Sequence, residues 1–190
     1  MRCPWAKVTN PEYLKYHDEE WGKPQHDDIH LFEMLILEGA QAGLSWETIL
    51  KRRENYRKAF NGFDPKKVAL ITPEKIEKLM LNEGIIRNRL KIESTVINAK
   101  AFLNVQKEFG SFDKYLWGWV NFKPIINNPT DMKGVPAKTS LSDQISKDLK
   151  KRGFKFVGST IIYAYLQAVG VIDDHLVECV NKGKSSTKKK

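Results

Sequence analysis

Thr72-Pro73-Glu74-Lys75-Ile76-Glu77-Lys78-Leu79-Met80-Leu81-Asn82-Glu83-Gly84-Ile85-Ile86-Arg87-Asn88-Arg89-Leu90-Lys91-Ile92 reads as two helices joined by one tight turn. Threonine before proline is an N-cap followed by a residue whose fixed φ suits the first helical position. Ile76, Leu79 and Met80 then fall at helical spacing, and Ile92 and Val96 resume the pattern beyond the break. Asn10-Pro11 and Asp64-Pro65 repeat the start signal, and Ser45, Ser111, Ser142 and Ser159 are further candidate caps. Between them lie helically spaced apolar sets: Leu31, Met34, Leu35 and Leu37; Val68 and Ile71; Ala99 and Leu103; Ile161, Tyr165 and Ala168. No stretch alternates strictly, so no strand is expected, and Phe122 to Lys138 reads as an irregular connection. The expected fold class is all-α, with about eight to ten helices.

At 190 residues the chain can bury one real core, or two small lobes that share a cleft. No apolar run reaches membrane-spanning length, and Met-Arg-Cys-Pro-Trp does not resemble a signal peptide, so a cytoplasmic, nucleoid-associated protein is expected. The net charge of +9 is unevenly spread: residues 1–48 carry 4 Lys/Arg against 9 Asp/Glu, and the rest carry 28 against 14. A basic field of that kind attracts polyanions, nucleic acid first. Residues 1–181 are expected to form a single domain, and 182–190, built of Gly, Ser, Thr, Asn-flanking Lys and little else, a disordered basic tail.

Three constellations carry chemistry. His175 and Cys179 stand four apart, on one helical face, and with Cys3 and His17 they offer a tetrahedral Cys2His2 zinc set. His26 and His30 share that spacing and form a decoy. Trp5, Tyr13, Tyr16, Trp21 and Trp46 crowd the acidic N-terminal quarter around Glu38. Ring faces beside a carboxylate suit a flat cation, such as a positively charged purine, although ordinary core packing is the competing reading. In the turn at Gly84, the backbone can bend sharply and approach a ligand, while Arg87, Arg89 and Lys91 add charge to the amides of the second helix. This is the logic of a helical hairpin gripping a DNA phosphate; Ile86 stands where a second glycine is usual, and a plain helix corner competes. Lys147, Lys150, Lys151, Arg152 and Lys155 around Gly153 form a further phosphate candidate.

Taken together, these residues resemble the 3-methyladenine DNA glycosylase I family of the helix-hairpin-helix glycosylase superfamily, over roughly residues 2–180. The blocks that carry the resemblance are Arg2-Cys3-Pro4-Trp5, Tyr16-His17-Asp18-Glu19-Glu20-Trp21-Gly22 and Leu37-Glu38-Gly39-Ala40-Gln41-Ala42-Gly43-Leu44-Ser45-Trp46. Further along stand Lys51-Arg52-Arg53-Glu54-Asn55-Tyr56-Arg57, Gly84-Ile85-Ile86-Arg87, Lys150-Lys151-Arg152-Gly153-Phe154-Lys155-Phe156-Val157-Gly158 and Asp174-His175. The resemblance implies two helical lobes flanking a cleft, with one structural Zn2+ on Cys3, His17, His175 and Cys179 joining the termini. It implies a base pocket of Glu38, Tyr16 and Trp46, walled by Trp5, Tyr13 and Trp21. It implies a wedge at Gln41, Gly43 and Leu44, and a DNA grip at Gly84, Arg87, Lys151 and Arg152. The implied activity is hydrolytic release of 3-methyladenine from double-stranded alkylated DNA by a monomer. No lysine stands out as a Schiff-base nucleophile, so no lyase step is expected. A glycosylase of this superfamily often has an aspartate shortly after the hairpin to direct water; Asp113 is the nearest candidate by position, without a family match. A zinc-containing module that binds damaged DNA without cleaving it is the alternative.

Overall fold

Ten consecutive residues from Leu31 to Ala40 are buried, and that decides the architecture. A helix apolar on every side must be wrapped by others. The computed structural model describes residues 1–6 and 9–183. Among them the helices are α1 (Pro11–Glu19), α2 (Asp28–Gln41), α3 (Trp46–Leu50), α4 (Arg53–Ala59), α5 (Pro65–Val68), α6 (Pro73–Met80), α7 (Arg89–Phe109), α8 (Phe112–Gly118), α9 (Ser140–Lys151) and α10 (Ser159–Ala168). The central helix α2 lies against α3, α7, α8 and α10, so it meets elements from both halves of the chain. None of the helices is long and apolar enough to cross a membrane.

Local chemistry sets most of the boundaries. Asn10, Ser45, Asp64, Thr72 and Ser111 each cap a helix through the side chain, as expected. Ser142 and Ser159 do not. Thr139 caps α9 and Ser142 stands at its third position, returning a hydrogen bond to the cap, while Gly158 precedes α10. Ser142 and Ser159 instead bond to each other at 2.8 Å across the α9–α10 junction. The expectation of no strand needs a small correction. β1 (Ile125–Ile126) pairs in parallel with β2 (Ile172–Asp173), and two residues are too few to leave a periodic signature.

The two ends of the chain meet. The amide of Val180 donates to the carbonyl of Met1 at 2.8 Å. The expected tail begins later than Lys182: its amide donates to Cys179, and its Nζ donates to the carbonyl of Asn127. Residues 184–190 of that expected tail lie outside the described residues.

A left-handed turn at Gly170 (φ +70°) closes α10 against the segment after α1, and a Cβ there would overlap the Lys23 carbonyl and the Pro24 nitrogen. Gly62 is also left-handed (φ +67°) but a Cβ there would meet open space. Gly170→Ala is therefore expected to destabilise the fold by about 2–4 kcal/mol, and Gly62→Ala by only about 1 kcal/mol, in urea unfolding. Equal losses would show that backbone strain, not the Lys23–Pro24 contact, sets the cost.

Candidate active site

Helix α1 brings Tyr13 and Tyr16 to the cleft on one face, three residues apart. Its start is tied to α3 by Asn10, whose amide donates to Glu47 at 3.1 Å. Its end is tied down by Glu20, which accepts from Arg53 at 2.7 Å, and Arg53 in turn donates to Glu33 of α2 at 2.7 Å. Arg57 donates to Glu33 as well, at 2.8 Å. Glu33 is thus a buried carboxylate with full compensation, and its acidity is enhanced: burial works against its charge, but Arg53 and Arg57 prevail.

Five residues further along the same helix, Glu38 has the opposite fate. It is 5% exposed, and no described residue donates a hydrogen bond or an ion pair to it. Burial alone pushes its carboxyl up to about 8. Without a ligand, burial therefore disfavours the standing negative charge that the residue type suggests. A flat cation placed beside Glu38 would favour the carboxylate.

Glu38 faces a cavity of about 230 Å³, lined also by Trp5, Tyr13, Tyr16, Trp21 and Trp46. That is below the ~300–1,000 Å³ of sites that bury drug-sized ligands, and on the scale of a single heterocycle. The rings are not separate core layers. Trp5 meets Trp21 edge-on at 4.8 Å and Tyr13 at 5.7 Å, and Tyr16 is tilted against Trp46 at 5.3 Å. The indole nitrogen of Trp46 is buried with no hydrogen-bond partner. Burial, and then the nearby Glu38, hold the Tyr16 phenol well above its ordinary value, so it stays a neutral donor.

Sequence reasoning missed four lining residues: Met132, Val135, Ala164 and Gln167. Met132 and Val135 come from the irregular connection, where Asp131 caps a single 3-10 turn over Met132–Gly134. Gln167 had a signal, since it is the one amide in the otherwise apolar run of α10. A second cavity of about 210 Å³ adjoins the first at Glu38 and Gln41, and Gly43 and Leu44 line it. Gly43 is left-handed (φ +77°), and Leu44 is 39% exposed at the tip of the turn.

The termini form a sulfur–nitrogen cluster behind the aromatic wall. Ligand atoms of Cys3, His17 and Cys179, all buried, lie within 4.8 Å of one another. The ring of His175 stands 5.1 Å from that of His17. Each histidine has its Nδ1 held by a carboxylate, His17 by Asp18 at 2.8 Å and His175 by Asp173 at 2.7 Å. That arrangement turns both Nε2 atoms inward, and the Nε2 of His175 is buried without a partner. The Nε2 of His17 meets the Cys3 amide at 3.4 Å and the Cys179 thiol at 3.5 Å; imidazoles oriented by carboxylates beside two thiols are residue types that could hold a metal ion. Burial pushes the Cys3 thiol up and the His17 imidazole down. The cluster also touches the cleft: Trp5 packs on His17 at 5.0 Å and Trp21 on His175 at 4.6 Å. The decoy pair has other work, His26 bonding to Asp113 at 2.7 Å and His30 lying half-buried near Glu33 and Arg53. Asp113, so engaged at the start of α8, does not line the cleft.

The basic residues divide. Gly84 is not left-handed. It lies in the turn closed by the Ile85 amide donating to the Asn82 carbonyl, and it must be small because the Asn55 side chain lies where its Cβ would be, at 2.9 Å. The amides of Arg87, Arg89 and Leu90 at the start of α7 have no acceptor among the described residues, and the Arg87 side chain is exposed. Arg89 is paired with Glu77 at 2.7 and 2.8 Å. Lys91 turns inward, donating to the carbonyls of Ala40 and Ala42 at 2.8 and 2.7 Å. It caps the C-terminal end of α2, and fixes the Gln41–Leu44 turn, instead of waiting for a phosphate. Arg152 donates to Asp148 and Glu108 at 2.6 Å each and lies over the Phe109 and Tyr115 rings, so it is already paired within the protein. Lys151 is exposed at the end of α9.

The family model described as methyladenine glycosylase matches residues 5–182. A DNA-3-methyladenine glycosylase of Haemophilus influenzae is 52% identical over 178 residues, covering 94% of this chain and 96% of that protein. DNA-3-methyladenine glycosylase 1 of Escherichia coli is 49% identical, with coverage of 94% and 95%. The all-α architecture matches solved structures closely. One, a variant of 3-methyladenine DNA glycosylase I in complex with 3-methyladenine, is 40% identical with a TM-score of 0.92, covering 95% of this chain and 97% of that one.

A carboxyl raised to about 8 keeps, in the folded chain, a proton that the unfolded chain loses above about 4.5. Its contribution therefore weakens the fold progressively as pH rises from about 4.5 to 8. Glu38→Gln is expected to gain stability over the parent by on the order of 2–4 kcal/mol in urea unfolding at pH 8, and by little at pH 4.5. A difference that does not change with pH would contradict the buried, unpartnered state of Glu38.

Proposed function

The chain belongs to the methyladenine glycosylase family, and on that premise we propose that its aromatic cleft takes up an alkylated purine flipped from double-stranded DNA and releases it hydrolytically as free 3-methyladenine. The carrying observation is the unpartnered carboxyl of Glu38 inside a ring-walled cavity of about 230 Å³. A module that merely holds phosphates has no use for a base-sized slot of that kind.

Alkylation at N3 makes adenine cationic and weakens its bond to the sugar. The base departs neutral, so no general acid has to protonate it, and catalysis rests on flipping, stacking and electrostatic placement. Glu38 ionises against the cation and accepts hydrogen bonds from the adenine edge. Trp46 stacks on the base, Tyr16 serves as the hydrogen-bonding partner beside Glu38, and Trp5, Tyr13 and Trp21 close the aromatic wall. Each cation–ring contact is worth roughly 1–2 kcal/mol once water is excluded. No lysine lines the cleft among the described residues, which supports hydrolysis without a Schiff base. Leu44, on the turn with Gln41 and Gly43, fills the gap that the flipped nucleotide leaves. The free amides at the start of α7, with Arg87, hold a phosphate, and Lys151 adds to the basic field.

One Zn2+ on Cys3, His17, His175 and Cys179 would complete the cluster at the termini. Four protein ligands leave no open position, so the ion is structural, tying the first and last segments of the 1–181 domain together. The chain supplies the whole cleft by itself, in keeping with a monomer working on DNA in the cytoplasm, nucleoid included.

In an assay of bases released from methylated DNA, the parent protein should release 3-methyladenine, and Glu38→Ala should lose about 10²-fold or more. Unchanged release by the variant would remove Glu38 from the mechanism, and none by the parent would leave only DNA binding. Borohydride should trap no covalent protein–DNA adduct. Elemental analysis should find one zinc per chain, and Cys179→Ser should lower the melting temperature by about 5 °C or more. A metal-free protein, or a Cys179→Ser melt like the parent's, would rule out the staple.

A further inference from the structure

Two amide side chains, Gln41 and Gln167, line the cleft beside Glu38. Gln167 and Ala164, three residues apart on α10, both line it. The side-chain Nε2 of Gln167 donates to the Oδ2 of Asp174 at 2.7 Å. Asp174 is 2% exposed, and accepts two more hydrogen bonds, from the Tyr163 hydroxyl at 2.6 Å and the Asn127 amide at 2.7 Å. A carboxylate only accepts. The amino end of the Gln167 amide must therefore face Asp174, and its carbonyl Oε1 must point the other way. No described donor reaches that oxygen. The backbone is fixed as well, since the Gln167 carbonyl accepts from the amides of Gly22 at 2.9 Å and Gly170 at 3.2 Å. Gln167 is thus an amide with one allowed orientation, tied to the turn that follows Trp21.

Building on the base-release reading above, we propose that Gln167 is a specificity-determining residue whose Oε1 accepts a hydrogen bond from the exocyclic amino group of the flipped base, and that Asp174 is the positioning residue that keeps this oxygen facing it. The amino group of an N3-alkylated adenine carries part of the ring's positive charge and offers two N–H donors. Glu38 can take one, and Gln167 takes the other. A purine with a carbonyl at that ring position would set oxygen against oxygen, and the amide cannot flip to relieve it, because Asp174 accepts no carbonyl. A site built around a fixed acceptor rejects the mismatched group more strongly than it rewards the matched one.

The test is binding of two free bases to the full-length protein, 3-methyladenine and 3-methylhypoxanthine, followed by quenching of the cleft tryptophans. The parent should prefer 3-methyladenine. Gln167→Met keeps the side-chain length and removes the amide; it should bind 3-methyladenine about 10-fold more weakly and 3-methylhypoxanthine no more weakly, so the preference shrinks. Tyr163→Phe removes a different donor from the same carboxylate, outside the cleft, and should lose stability while keeping the preference. A preference unchanged in Gln167→Met, or reduced equally in Tyr163→Phe, would overturn the assignment even if the parent releases 3-methyladenine from DNA. A parent that neither binds nor releases 3-methyladenine would take down the base-release reading, and this inference with it.

Discussion

The site depends on one costly placement: a carboxyl with no hydrogen-bond donor, at the end of a helix buried on every side. Glu33 and Glu38 lie on the same helix and differ by five positions, yet one is neutralised by Arg53 and Arg57 and the other by nothing but a proton. Desolvation of an uncompensated carboxylate is unfavourable in the empty protein, and the deficit is relieved by a ligand that brings its own positive charge. That asymmetry is the basis of the proposed preference for a cationic base over a neutral one. The fold tolerates it because the rest of α2 is secured by apolar burial along Leu31–Leu37 and by the Glu33 ion pairs.

The cleft wall and the terminal cluster are one mechanical unit. His17 and His175 present ring faces and edges to Trp5 and Trp21, so whatever fixes the histidines also fixes the indoles. Gly22 makes this contact possible, because a Cβ there would stand 2.8 Å from the His175 ring. A closed metal set behind the pocket would act by holding stacking surfaces in register, far from any bond being broken.

Charge count does not separate free cations from paired ones. Several cations that looked available in the sequence are used within the protein: Arg89 on Glu77, Arg152 on Glu108 and Asp148, and Lys91 on the carbonyls that end α2. The last links the start of α7 to the end of α2 through two short hydrogen bonds.

Local rules made the helices legible. Asn10, Ser45, Asp64, Thr72 and Ser111 announce their helices within three or four residues, because a cap needs only its own side chain and the next amides. The rings, Glu38 and the sulfur–nitrogen donors were identifiable as residue types in familiar blocks. What the chain by itself could not reveal was their electrostatic state and their neighbours. The proton on Glu38 depends on donors that are missing in three dimensions. The inward turn of Lys91, and one of the two pairings of Arg152, depend on acceptors 40 or more positions away. Met132, Val135 and the oriented amide of Gln167 reach the cleft through contacts with no local signature. Periodicity and capping are short-range properties and are written in sequence, whereas desolvation and pairing are set by whatever the folded chain brings near, and only the tertiary structure decides them.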